Sequence, residues 1–163
     1  MRARPPLRAV VGALLAAAAA VAVASCDGSL SPSQIRGQRA ELTVARRRWT
    51  TQGPASYRYR FQYLCFCPAT LAAAVEVHVR DGRVTAVLDP SSGRPAAPAA
   101  GRPTPTVEDL FAVVESAIER PVDWLDVQYD LVLGYPAVIR LDPDTRTIDE
   151  ETSYFAGSLT AQP

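Results

Sequence analysis

The sequence predicts an α+β domain: a mostly antiparallel six-stranded sheet with two helices packed on one face. Three observations predict it. Apolar residues recur at helical spacing in two segments, 34–49 and 106–120. Each of these is followed by period-two alternation, first an aromatic strand and then a hairpin signal. The chain has 163 residues, enough for one compact domain and few for two.

The first helix is read over 34–49. Ile35, Leu42, Ala45 and Trp49 fall near one stripe, and Arg39, Arg46 and Arg47 face water. Ser31 or Ser33 can cap its start, and the run TTQGP at 50–54 stops it. Residues 56–67, SYRYRFQYLCFC, alternate next. Tyr57, Tyr59, Phe61, Tyr63 and Cys65 share one face; Arg58, Arg60 and Gln62 share the other. Aromatic, β-prone residues at period two make a half-buried strand. Residues 74–89 read as a hairpin, with Val75, Val77 and Val79 inward and a turn at Asp81-Gly82.

A Pro/Gly/Ala-rich segment, 90–105, reads as a long surface loop. The second helix starts after Thr106, with Asp109 placed to complete a capping box. It carries Leu110, Val113, Val114, Ala117 and Ile118 on its stripe, and Pro121 ends it. Residues 123–136 alternate with Leu125, Val127 and Tyr129 on one face. A last hairpin is read over 137–155, turning at DPDT, 142–145, with the chain fraying from Gly157. The result is two α-β-β-β units, a pattern compatible with an old duplication. The single domain is assigned to 34–157, with 158–163 as a tail.

The ends add a targeting signal. Arg2, Arg4 and Arg8 precede a 16-residue apolar run, 9–24, shorter than the roughly 20 residues that span a bilayer. This is the layout of a secretory signal peptide, assigned to 1–25. The run closes on VASC, 23–26, which resembles the lipobox of bacterial lipoproteins. That resemblance implies cleavage before Cys26, a diacylglycerol on its sulfur, and a short linker, 26–33, between lipid and fold. The expected location is the cell envelope, on the extracytoplasmic side of a membrane.

The mature chain of 138 residues would hold 14 basic and 17 acidic groups, a net of about −3. A weakly acidic total excludes nucleic acid as the expected partner. No lysine is present. The pattern of basic residues therefore reflects wholesale arginine usage, not selection of arginine at particular sites.

Cys65 and Cys67 stand one residue apart. On an extended strand their Cα atoms lie about 6.6 Å apart, near the upper limit for a disulfide. The favoured reading is a local disulfide ending the strand, with Pro68 marking a relieving bend. A redox dithiol and a soft-metal clip stay open as alternatives. The metal reading needs further ligands, and the chain supplies one histidine, His78, on the polar side of its strand. No metal or cofactor is therefore expected. Asp142, Asp144, Asp149, Glu150 and Glu151 form an acidic run without EF-hand spacing, read as charges protecting an edge strand. No nucleophile elbow and no phosphate-cradling glycine loop appears.

The combination of lipobox, helix ending in Trp49, YRYRF at 57–61, CFCP at 65–68, DGRV at 81–84, and GYPAVIRLD at 134–142 leading into IDEE at 148–151 resembles an uncharacterised family of bacterial lipoprotein domains of unknown function. The resemblance implies no activity and no catalytic residues. The architecture is also similar to β-lactamase-inhibitor-like and PepSY-type envelope modules, a likeness of fold alone. The expected function is a membrane-anchored, non-enzymatic binding or accessory domain whose expected partners are the bilayer and another envelope protein. The alternative is a thiol-redox protein using Cys65 and Cys67.

Overall fold

The computed structural model describes residues 29–120 and 122–163. The expected signal peptide, 1–25, and Cys26 lie outside the described residues. Six strands form one antiparallel sheet in the order β3-β2-β1-β6-β5-β4. The strands are β1 (Tyr57–Leu64), β2 (Val75–Arg80), β3 (Arg83–Leu88), β4 (Trp124–Tyr129), β5 (Pro136–Asp142) and β6 (Thr152–Ala161). Two long helices, α1 (Pro32–Gln52) and α3 (Val107–Glu119), cover one face; α2 (Ala69–Ala72) is a single turn. The α+β class and the six-stranded sheet follow the sequence reading.

Both helix starts are fixed by reciprocal caps. Ser31 and Gln34 close a capping box on α1, with Pro32 in its first turn. Thr106 Oγ1 accepts from Asp109 N at 3.1 Å, and Asp109 Oδ2 accepts from Thr106 N at 2.8 Å. Glu108 and Asp109 also place negative charge at the positive end of the α3 dipole. The β2–β3 hairpin turns where Asp81 (φ 50°) and Gly82 (φ 71°) both enter the left-handed region, which a two-residue turn demands.

The core lies between the helix pair and one sheet face. Tyr57, Tyr59 and Phe61 of β1, and Val75, Val77 and Val79 of β2, point into it. They meet Leu42, Ala45 and Trp49 of α1 and Leu110, Phe111, Val114 and Ile118 of α3. Trp49 meets Tyr57 edge to face, ring centroids 5.4 Å apart. Ion pairing of Arg46 with Glu115 at 3.0 Å ties α1 to α3 along their length.

Four expectations are corrected. First, the chain does not fray at Gly157. β6 continues to Ala161, because residues 156–161 pair with β1 in the middle of the sheet. Second, the acidic run protects no edge. β5 and β6 are interior strands; Asp142 is the buried last residue of β5, and Asp144, Asp149, Glu150 and Glu151 sit in the 143–151 connection between them. Third, the loop 90–105 is not merely a surface excursion. Pro95 bridges Leu88, and Ala96 N donates to Val87 O at 2.9 Å, so the loop shields the β3 edge.

Fourth, the two α-β-β-β units are not related as a duplication requires. Matching strands in chain order (β1 to β4, β2 to β5, β3 to β6) preserves their left-to-right order but reverses every strand direction. A rotation with that effect turns the sheet over and carries the helix to the opposite face. α1 and α3 lie in contact on the same face, so no rotation superposes the units.

Candidate functional site

Two features stand outside the core: the cysteine turn at the end of β1, and the sheet face that the helices leave bare.

β1 ends at Leu64, so the cysteines are not on extended strand. Cys67 N donates to Cys65 O at 2.8 Å, closing a three-residue turn with Phe66 at its apex. This brings the two Cα atoms to 5.2 Å, and the sulfurs stand at bonding distance. The bend therefore falls at Phe66, not at Pro68, which instead leads into α2. Phe66 projects outward, 78% exposed. Among the described residues no group of three or more His, Cys, Asp or Glu is placed to hold a metal ion.

The bare face carries outward residues of all six strands, with Ala86 and Leu88 from β3. Arg58, Arg60 and Gln62 come from β1, Glu76 and His78 from β2, Asp126 from β4, and Val138 and Arg140 from β5. Ser153, Phe155 and Gly157 come from β6. Their charges are organised across strands. Glu76 Oε1 lies 2.7 Å from His78 Nε2 and 3.6 Å from Arg58 Nη1. Gln162 approaches the other ring nitrogen at 3.4 Å. His78 is thus held in a half-buried network instead of standing free in solvent, the commoner state for a lone strand histidine. Arg140 Nη1 pairs with Asp126 Oδ2 at 2.8 Å, and its guanidinium lies 5.6 Å from the Phe155 ring centroid.

Arg60 differs. It stands opposite Glu76 in the β1–β2 register, yet that carboxylate is turned to Arg58 and His78. On its other side its register partner is Gly157, above which a Cβ would meet nothing within 4 Å. The result is a depression of about 310 Å³, walled by Arg60, Gln62, Val138, Phe155 and Ser158 over the Gly157 backbone.

A family comparison bears on this chain. A sequence model of a family of unknown function, DUF6174, matches residues 41–161, about three quarters of the chain. The chain belongs to DUF6174. No curated protein and no solved structure matches it. The DUF6174 span takes in both sheet halves, the cysteine turn and the bare face.

The sequence reading puts Arg58, Arg60, Gln62, His78 and Arg140 on the outer face, and the structure brings all five there. It misses Gly157 and Ser158 because it expects fraying from Gly157, and it assigns Phe155 to the last hairpin without a face. The alternation in TSYFAGSL, 152–159, is the available signal. Tyr57 and Tyr59, assigned to the core, have phenol pKa values raised by burial; a backbone donor, Val107 N, partly opposes the shift at Tyr57. In the acidic connection, hydrogen bonds from Arg146 hold the Asp144 carboxyl below its ordinary value.

Proposed function

We propose that this chain is a membrane-anchored lipoprotein of the cell envelope, tethered through Cys26, whose folded domain binds a partner and does not catalyse a reaction. The signal-peptide layout and VASC at 23–26 support the anchor. The observation that carries the tethered reading is the start of the fold. Leu30 is buried, its N–H donates to Val122 O at 3.2 Å, and the α1 capping box begins at Ser31. Three residues, 27–29, then separate the lipidated position from the packed domain, a reach of about 10 Å.

The α1 N-terminus lies at the same end of the sheet as the start of β4. The opposite end, where Arg48 Nη1 donates to Leu131 O, lies about 24 Å away along α1. Leu131 and Val132 are 88% and 69% exposed there. A domain tethered at its α1 end would offer that far end and the bare sheet face to a partner. Among the described residues no helix is long and apolar enough to cross a membrane, so in this reading attachment rests on the acyl groups.

Metabolic labelling of the full chain with a palmitate analogue, followed by fractionation, tests the anchor. Labelled protein in the membrane fraction is expected, with both label and membrane association lost in Cys26→Ser. A wild-type chain that takes no label and stays soluble overturns the proposal.

The cysteine turn favours one second reading, a thiol-redox function. The pair lies outside the strand ladder and is half-exposed, so a thiolate reagent can reach it without opening the sheet. A measured reduction potential decides it: a value too low for the glutathione pool to reduce leaves the pair structural.

A further inference from the structure

We infer that the depression over Gly157 is a binding site for the C-terminal carboxylate of a partner polypeptide, with Arg60 as its cation. Four observations converge there. Of the three arginines in the middle of the bare face, Arg58 and Arg140 have carboxylate partners and Arg60 has none among the described residues. A guanidinium left unpaired while its nearest register carboxylate is engaged elsewhere is free to donate two parallel hydrogen bonds to another carboxylate.

The second observation is Gly157. Glycine inside a strand weakens it and often marks the close approach of another backbone. Here a side chain would fit without any contact within 4 Å, so packing does not require the glycine. Its bareness is what opens the space beside Arg60. The third is the bulge. Arg58 pairs with Thr160 but Arg60 pairs with Gly157, so Ser158 and Leu159 oppose Tyr59 alone. Ser158 takes φ 55°, which a non-glycine residue rarely adopts. Bulges that re-aim a strand recur beside functional sites. The fourth is the lining. Phe155 and Val138 form a half-buried apolar patch beside Arg60.

A cation beside a small apolar floor suits a carboxylate carried on an apolar residue. The depression is shallow and open above Gly157, unlike the enclosed clefts that bury most of a small-molecule ligand. A chain end fits better. Its carboxylate meets Arg60, its last side chain rests on Phe155 and Val138, and the preceding residues extend over the charged rows to either side.

This inference deepens the binding-module reading by naming the ligand class, and rests on that reading but not on the lipid. The test uses the full chain in detergent micelles, labelled with 15N, and two probe peptides. One is N-acetyl-Ala-Leu-Val with a free C-terminal carboxylate; the other is the same peptide as its amide. The free acid is expected to shift the amide signals of Arg60, Phe155 and Gly157 saturably at low-millimolar concentration, and the amide form to bind at least tenfold more weakly. Arg60→Gln is expected to lose at least tenfold.

Gly157→Val adds a side chain into open space at a strand position, so it fills the depression while β6 keeps its pairing. It is expected to fold, by its unchanged dispersion of amide signals outside the site, and to bind neither peptide. Equal binding of acid and amide, full binding by folded Gly157→Val, or no shift at about 10 mM peptide each overturns the site. If Cys26 carries no lipid but these shifts appear, only the tether fails. If labelling succeeds and the shifts are absent, only the site fails.

Discussion

Trp49 Nε1 donates to Glu108 Oε1 at 2.9 Å, joining the last turns of α1 to the first turn of α3. Trp49 is 6% exposed, so its indole N–H has no access to water as a substitute acceptor. The other oxygen of the same carboxylate receives Tyr57 O–H at 3.4 Å, while Tyr57 accepts from Val107 N at 2.8 Å. One surface carboxylate therefore organises the contact of both helices with β1. Glu108→Ala is expected to cost about 1–3 kcal/mol by orphaning a buried donor. Glu108→Gln keeps an acceptor and loses only the dipole-favoured charge, so its cost falls to about 0.3–1 kcal/mol. Urea titration checks the order; equal stability of all three chains would contradict it.

Gly134, in the connection between β4 and β5, is a glycine the fold cannot replace. Its φ is 83°, and a Cβ there would lie 2.6 Å from Ala45 O and 2.9 Å from Arg48 Cβ. The clash is with helix backbone, which has no room to give. Gly134→Ala is expected to destabilise by more than the roughly 1 kcal/mol that left-handed backbone alone costs an alanine. It should also separate α1 from the β4–β5 end, seen as faster amide exchange over 45–49. Gly37→Ala, mid-helix with nothing within 4 Å, is the opposite case. It is expected to stabilise by about 0.5–1 kcal/mol, measured in the same urea series.

The buried phenols make the fold sensitive to alkali. Tyr57, Tyr59 and Tyr129 all have pKa values raised by burial. A raised native value favours the neutral phenol in the folded state. The stabilisation is therefore complete below the unfolded pKa, about 10, and is lost as pH climbs above it. The urea midpoint is expected to hold steady through neutral pH and fall above about pH 10. Tyr59→Phe, which also loses the hydrogen bond to Pro105 O, should be less stable at pH 7 but show a shallower alkaline fall. Spectrophotometric titration in which all six tyrosines ionise together near the ordinary value, with the fold intact, would refute it.

Reduction of the Cys65–Cys67 pair should leave the sheet standing. The closed ring spans three residues and lies beyond Leu64, where β1 pairing ends. Loop-closure stabilisation from so small a ring is less than about 2 kcal/mol. A double Cys65→Ser, Cys67→Ser chain is expected to keep a native amide spectrum and a single cooperative transition. Signal changes should be confined to residues 64–73. Loss of folding would show that the turn, and not the core, holds β1 and β2 together. Alkylation followed by mass spectrometry reports the native state of the pair.

The outer face is partly legible in the amino-acid sequence. Arg58, Arg60 and Gln62 alternate with Tyr57, Tyr59, Phe61 and Tyr63, and a period of two assigns faces without reference to a partner strand. That Arg60 lacks a carboxylate is not legible there. Glu76 lies opposite it in the β1–β2 register, and only side-chain geometry shows the carboxylate turned toward Arg58 and His78. The cysteine spacing allows a disulfide, but an extended strand puts the two Cα atoms near the limit. The turn at Phe66 shortens the distance, and it follows from the end of β1 pairing after Leu64.

By itself the sequence determined what each folded segment is: two amphipathic helices with their caps, an Asp-Gly hairpin and aromatic strands. Those features are local, set by side-chain period, φ preference and hydrogen bonds within one turn. Tertiary structure decided how the segments meet. Insertion of β6 between β1 and β5 turned an expected tail into interior strand and put Gly157 beside Arg60. The same strand order put the acidic run from Asp144 onward in a loop and not on an edge. Strand order and register depend on which distant backbones pair and which faces the helices cover, and no periodicity within a single segment encodes either.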